Sequence, residues 1–200
     1  MENIENLDPA RSFQIIEEMI GNARNELSEN GHLYLFWGYV ILGCSMFHFA
    51  GLYWDLVPRP DLIWMLTWVA SFYQLIYLRR KLRKLRYKTY SGDMLKAVWL
   101  VFICCGVILG FVVGRQGDWK TLYPLILMLY GIPTILSGVI LRFRPLIYGG
   151  IGCWMLSIAA VFAPFIYNLL MVSIAVICAW IIPGYMLRSR FRLQKSKTQS

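Results

Sequence analysis

Six apolar stretches, separated by short polar connections, take up most of this 200-residue chain, and that succession constrains its fold more than any motif does. A spanning helix rises 1.5 Å per residue across hydrocarbon, so about 18 to 20 residues with few charges qualify. The stretches that meet this requirement are 33–51, 62–79, 95–114, 121–141, 145–162 and 165–187. Segments such as Val98 to Val113 are apolar on every side, where a helix of a soluble domain would keep a polar face. Backbone groups in hydrocarbon must be bonded within the segment or around a closed barrel, and these runs lack the alternation of barrel strands. The expectation is an all-α integral membrane protein, a six-helix bundle dividing three and three. Residues 1–32 precede it and 188–200 follow as a basic tail.

Orientation follows from the cations, because cytoplasmic loops retain Lys and Arg. Of the 20, 17 fall before the first span, between spans two and three, between four and five, and after six. Eight of these lie between Arg79 and Lys96. The other three, Arg59, Arg115 and Lys120, are offset by Asp55, Asp61 and Asp118. Both termini are therefore expected in the cytoplasm, with the whole net charge of +9 on the inner side. There it favours anionic lipid headgroups and gives no reason to invoke nucleic acid. Residues 1–32 carry seven acids against two bases, so the first span reads as an anchor and not as a signal peptide. Lys195 to Ser200 carries no prenylation or retention signal. The five cysteines, Cys44, Cys104, Cys105, Cys153 and Cys178, all fall inside spans and read as small packing residues.

The amino-terminal segment has its own pattern. Asp8 is a good N-cap with Pro9 behind it, and Asn30-Gly31 is a stop signal, so a helix from about Pro9 to Ser28 is expected. Phe13, Ile16, Ile20, Ala23 and Leu27 recur at spacings of three and four and form one stripe. The opposite face holds Glu17, Glu18, Glu26 and Glu29, the reverse of the basic face of a lipid-surface helix. The stripe therefore seeks protein. It packs on the inner ends of its own bundle, or Phe13, Ile16, Ile20 and Leu27 dock a cytosolic partner or a second copy of the chain.

At Asn30-Gly31-His32-Leu33-Tyr34-Leu35-Phe36-Trp37-Gly38 the chain resembles an uncharacterised family of small bacterial inner-membrane proteins. In that family an acidic amphipathic helix precedes a Gly-x-x-x-x-x-Trp-Gly entry into the first span. The resemblance covers Ser12 to Ser45 and implies a bacterial inner-membrane location and regulatory neighbours. It supplies no activity and no catalytic residue. Read by themselves, Tyr34 and Trp37 are interfacial anchors at the inner headgroups, matched outside by Tyr53, Trp54, Trp64, Trp119 and Tyr123.

Helix contacts in lipid favour small residues. Gly106, Gly110 and Gly114 form a doubled G-x-x-x-G in span three, and Gly149, Cys153 and Ser157 a similar stripe in span five. Both are expected packing seams, span three also serving for homodimerisation. Gly131-Ile132-Pro133 is expected to kink span four. Polar residues inside hydrocarbon point to a site. Thr67, Ser71 and Gln74 stripe span two, Tyr130, Thr134 and Ser137 stripe span four, and His48 and Asn168 lie near the outer ends of spans one and six. Interhelical hydrogen bonds account for all of them; a polar lining for an uncharged solute is the functional alternative.

Enzyme chemistry finds little to work with. The two histidines, His32 and His48, are sixteen apart with no Glu between them, so the His-Glu-x-x-His pattern of a metalloprotease is missing. No intramembrane serine has a Gly-x-Ser-x-Gly setting. Tetrahedral zinc needs at least three protein ligands, and the spans offer no such cluster. The reading is a non-enzymatic membrane interaction or regulatory protein with a cytosolic docking helix and no cofactor. The alternative is a small transporter or channel for an uncharged solute, lined by spans two and four.

Overall fold

The structure, a computed structural model, describes the backbone of residues 9–82 and 90–189 and the side chains of 31–80 and 92–189. Among the described residues, six helices are long and apolar enough to cross a membrane, covering Gly31–Tyr53, Pro60–Arg80, Gly92–Gln116, Trp119–Ile140, Arg144–Phe162 and Phe165–Ser189. Each contains one of the six sequence-expected spans or nearly coincides with it. The chain is thus an all-helical, multi-pass membrane protein.

Its elements are α1 (Pro9–Tyr53), a 3₁₀ turn (Pro60–Trp64) leading into α2 (Met65–Leu82), α3 (Tyr90–Gln116), α4 (Trp119–Ile140) and α5 (Arg144–Phe162). α6 begins as Phe165–Val176, widens into a π turn over Ile177–Ile181, and continues helically over 182–189. Pro60 and Pro145 sit in the opening turns of their helices, where a missing N–H costs nothing. The π turn lies just ahead of Pro183, which cannot donate to the Ala179 carbonyl, and Ile182 N–H instead reaches back to Ile177 O.

One expectation needs correction. The helix does not stop at Asn30-Gly31: α1 runs unbroken for 45 residues, from Pro9 to Tyr53. Gly31 serves close approach and not a turn, because a Cβ there would lie 3.2 Å from the Gly184 carbonyl of α6. α4 holds Pro124 and Pro133 inside one helix.

Nor do the helices divide three and three. The core is built from α1, α4, α5 and α6, through residues such as Ile41, Leu127, Leu146, Leu169, Val172 and Trp180. α4 packs most extensively on α5, and α1 on α6. α2 leans on α1 and α3 on α4, each with most of its surface outward, as Trp68, Phe72, Leu100 and Phe111 show. In hydrocarbon such faces need no protein cover.

The turn between α4 and α5 closes the core at one end. Phe143 N–H bonds Gly138 O at 2.8 Å and Arg142 N–H bonds Val139 O at 3.1 Å, the paired bonds of a Schellman ending. Arg142 takes the left-handed position with φ 50°, and Phe143 is buried behind it.

Candidate functional site

Of the two glycine stripes that the sequence pattern singled out, the structure crowds Gly149 of span five and not the glycines of span three. A Cβ on Gly110 would meet nothing within 4 Å, and those on Gly106 and Gly114 would only reach the Leu129 and Trp119 side chains, at 3.9 and 3.8 Å. The Gly106, Gly110, Gly114 stripe is therefore not a seam within the described bundle. Gly110 and Gly114 are exposed and Gly106 is half-buried beside Leu129 of α4, and nothing in the spacing of small residues says which way they face. The real close approaches are elsewhere. A Cβ on Gly150 would lie 2.9 Å from Gly131 O, one on Gly138 2.9 Å from Ile147 N, and one on Gly149 2.6 Å from Ala179 Cα. Gly149 thus seats α5 against the π turn of α6.

The rest of the span-five stripe also faces protein. Cys153 is buried, and Ser157 Oγ donates to Pro124 O at 2.8 Å. One turn away, Trp154 Nε1 donates to Met128 O at 3.1 Å, so α5 grips two carbonyls of α4 in the stretch between its prolines. Of the cysteines, Cys44 and Cys153 are buried packing residues, whereas Cys104, Cys105 and Cys178 face outward.

The span-two polar residues do not make a shared lining. Thr67 Oγ1 donates to Trp64 O at 2.6 Å and Ser71 Oγ to Thr67 O at 2.7 Å, so both hydroxyls bond their own helix, and Ser71 is exposed. Only Gln74 reaches across, accepting from Trp37 Nε1 of α1. α2 packs on α1 and the 3₁₀ turn, while α4 packs on α3, α5 and α6.

The buried polar side chains instead gather where α1, α4 and α6 meet, in two groups. The first sits at the end that carries the α1–α2, α3–α4 and α5–α6 connections. His48 Nδ1 accepts from Trp64 Nε1 at 2.9 Å, and the Tyr123 hydroxyl lies 3.2 Å from the same nitrogen. An indole N–H can only donate, so Nδ1 is the acceptor and the neutral ring carries its proton on Nε2. Ser45 Oγ, one turn from His48, donates to Leu169 O at 2.5 Å, and Ser173 Oγ lies 3.1 Å from that carbonyl and 3.2 Å from Ser45 Oγ. Asn168 is buried beside them in sequence, and its Oδ1 has no partner. Asp61, exposed at the 3₁₀ turn, is in electrostatic range of His48 and Tyr123.

The second group lies deeper. Trp180 Nε1 of the π turn donates to Thr134 Oγ1 at 3.0 Å, and Thr134 Oγ1 donates to Tyr130 O at 2.7 Å. Around this pair the rings of Tyr130 and Trp180 stand 5.0 Å apart, Trp99 and Trp180 5.9 Å, Phe102 and Tyr130 5.6 Å, and Tyr34 and Trp99 6.0 Å. Ser137 is fully buried next to Tyr34, yet its Oγ makes no hydrogen bond of ordinary geometry.

Aromatic residues account for the main misreadings of the sequence. Tyr34 and Tyr123, expected as interfacial anchors, are buried, and the half-buried indoles of Trp37 and Trp64 bond Gln74 and His48. Tyr53, Trp54 and Trp119 do remain outward. Trp99, Trp154 and Trp180 were not singled out from sequence, because an amphipathic ring suits a headgroup belt and a core hydrogen bond equally. The docking residues Phe13, Ile16, Ile20 and Leu27 have side chains outside the described residues; only their helical backbone is placed. The basic residues Arg83 to Lys88 and 190–200 also lie outside them.

Fold and site together define a polytopic helical membrane protein with a neutral, hydroxyl-rich core. Comparison with known proteins adds no assignment: the chain matches no family model, no curated protein and no solved structure.

Proposed function

We propose that this is a non-enzymatic interaction or regulatory protein of the bacterial inner membrane, both termini cytoplasmic, whose amino-terminal helix docks a cytosolic protein. One observation carries the reading: α1 is a single 45-residue helix that includes the candidate span Gly31–Tyr53, and its earlier part carries Glu17, Glu18, Glu26 and Glu29 in sequence. The 22 residues before Gly31 continue that span as one rod, about 33 Å long at 1.5 Å per residue. A rod continuous with a spanning helix has its axis fixed by the bundle. The excess of cations on the connections assigned to the cytoplasm supports the orientation, and also a contact of that surface with anionic lipid headgroups.

The test is a pull-down from native membranes alongside a melting curve of the purified protein. Ile16→Asp and Ile20→Asp should abolish the association and leave melting unchanged, and removal of residues 1–28 should release the same partner. Aspartates that alter neither binding nor stability would remove the docking role. The alternative, a passage for an uncharged solute lined by spans two and four, has less support, because Thr67 and Ser71 bond their own helix and α2 packs on α1. Stabilisation of the purified protein by such a solute, with no partner retained, would favour it.

A further inference from the structure

Of the buried polar side chains, His48 is the one whose charge changes near neutral pH, and its two partners differ in how they can respond. Trp64 Nε1, on the 3₁₀ turn, donates to His48 Nδ1 at 2.9 Å. An indole nitrogen has no lone pair to offer, so this bond exists only while Nδ1 is unprotonated. The Tyr123 hydroxyl of α4, 3.2 Å from the same nitrogen, can both donate and accept. When Nδ1 gains a proton, the hydroxyl turns round and accepts it, whereas the indole faces a second donor. A proton on His48 therefore breaks the tie between α1 and the turn and keeps the tie between α1 and α4.

The turn leans on that tie. Its other contacts with α1 are a weak sulfur bond, Cys44 Sγ to Ile63 O at 3.6 Å, and the seating of Pro60 on Gly51, where an added Cβ would lie 2.5 Å from the proline ring. Beyond the turn, α2 keeps most of its surface outward and is tied to α1 again through Gln74 and Trp37. His48 lies five residues before the end of α1, about 7.5 Å along the axis, so the aqueous phase at this end is close.

The groups around the ring allow it to charge. Asp61, on the same turn as Trp64, is in electrostatic range of both His48 and Tyr123. An imidazolium out of water needs a countercharge, and this carboxylate supplies it. From α1 come Cys44 and Ser45, from α4 Tyr123, and from α6 the neutral Asn168 and Ser173. The other charged residues at this end, Asp55, Arg59, Arg115, Asp118 and Lys120, are exposed.

We propose that His48 is a pH-operated clasp. The neutral ring holds the 3₁₀ turn and the start of α2 against α1 and α4, and acidification on that side of the membrane releases them while α1 and α4 stay joined.

The test follows hydrogen–deuterium exchange of the full-length protein in lipid nanodiscs at about pH 8 and about pH 5, either side of the ordinary imidazole value of about 6.5. Each rate is taken relative to an unstructured peptide of the same sequence, which removes the intrinsic effect of pH on exchange. Residues 60–66 should exchange several-fold faster at the lower pH, while α4 and α5 keep their protection. His48→Asn puts a neutral carbonyl oxygen near the place of Nδ1 and should abolish the pH response. Trp64→Phe removes the donor and should leave the turn fast at both values. Equal protection of the wild-type turn at the two values overturns the proposal, and so does a response of wild-type size in either variant. The nitrogen-labelled indole of Trp64 gives a reading that needs no substitution. Its NMR signal should move as His48 titrates, because its N–H loses the imidazole acceptor; a His48 that titrates without moving it also overturns the clasp.

Discussion

A pair of matched glycine substitutions tests the seam assignment most directly. At Gly149 an added methyl would lie 2.6 Å from Ala179 Cα, 3.0 Å from Cys178 O and 3.3 Å from Ala179 Cβ. The first two are backbone atoms of the π turn and cannot rotate away, so α5 and α6 must separate by about an ångström along their shared contact. Overpacking of that kind costs about 1–3 kcal/mol. Replacing glycine by alanine in a helix returns about 1 kcal/mol, which leaves Gly149→Ala destabilising by up to about 2 kcal/mol. At Gly110 the same methyl meets nothing within 4 Å, so only the propensity gain acts. Gly110→Ala should be neutral or stabilising by up to about 1 kcal/mol. Equilibrium unfolding of both variants in mixed micelles of mild detergent and dodecyl sulfate measures the difference, with opposite signs expected. If Gly110→Ala destabilised as much as Gly149→Ala, the outward side of α3 would be packed against another chain, and the argument that its glycines are unpartnered would fail.

Three further outcomes rest on a contact, a backbone dihedral and the cation count. Thr134→Val keeps the shape of the core but strands the Trp180 N–H, and should cost about 1–3 kcal/mol. Trp180→Phe in the same background should then cost less than it does alone, and additive losses in this double-mutant cycle would refute the bond. Arg142→Gly, at a left-handed position with φ 50°, should stabilise by about 1 kcal/mol in the same unfolding assay, and a loss would show that the Arg142 side chain holds the turn. For topology, a reporter fused after Ser200 should read cytoplasm and one inserted near Gly117 the outside; an external carboxy terminus would overturn the orientation drawn from the cations.

The spans were legible in the sequence because hydrocarbon imposes its requirement on each segment separately. Any stretch that crosses must be long, apolar and internally bonded, so composition and length within 33–51 or 165–187 were enough to place them. The polar residues that matter were legible for a related reason. Burying His48, Tyr130, Thr134, Ser137 or Asn168 in an apolar run is costly, so their presence there demanded partners, and all five are buried in the core. Partner choice was not legible. Every face of these helices is apolar, so nothing local distinguishes the uncrowded Gly106, Gly110 and Gly114 from the crowded Gly131, Gly138 and Gly150. Relative rotation and depth decide that, and they exist only once the helices have met. The same reasoning separates Thr67 and Ser71, bonded to their own helix, from Thr134, bonded to Trp180. It also explains Asn30-Gly31: as a local signal it reads as a helix stop, but Gly31 lets α1 approach Gly184 of α6, and a contact between residues so far apart in the chain can be set only by the tertiary structure.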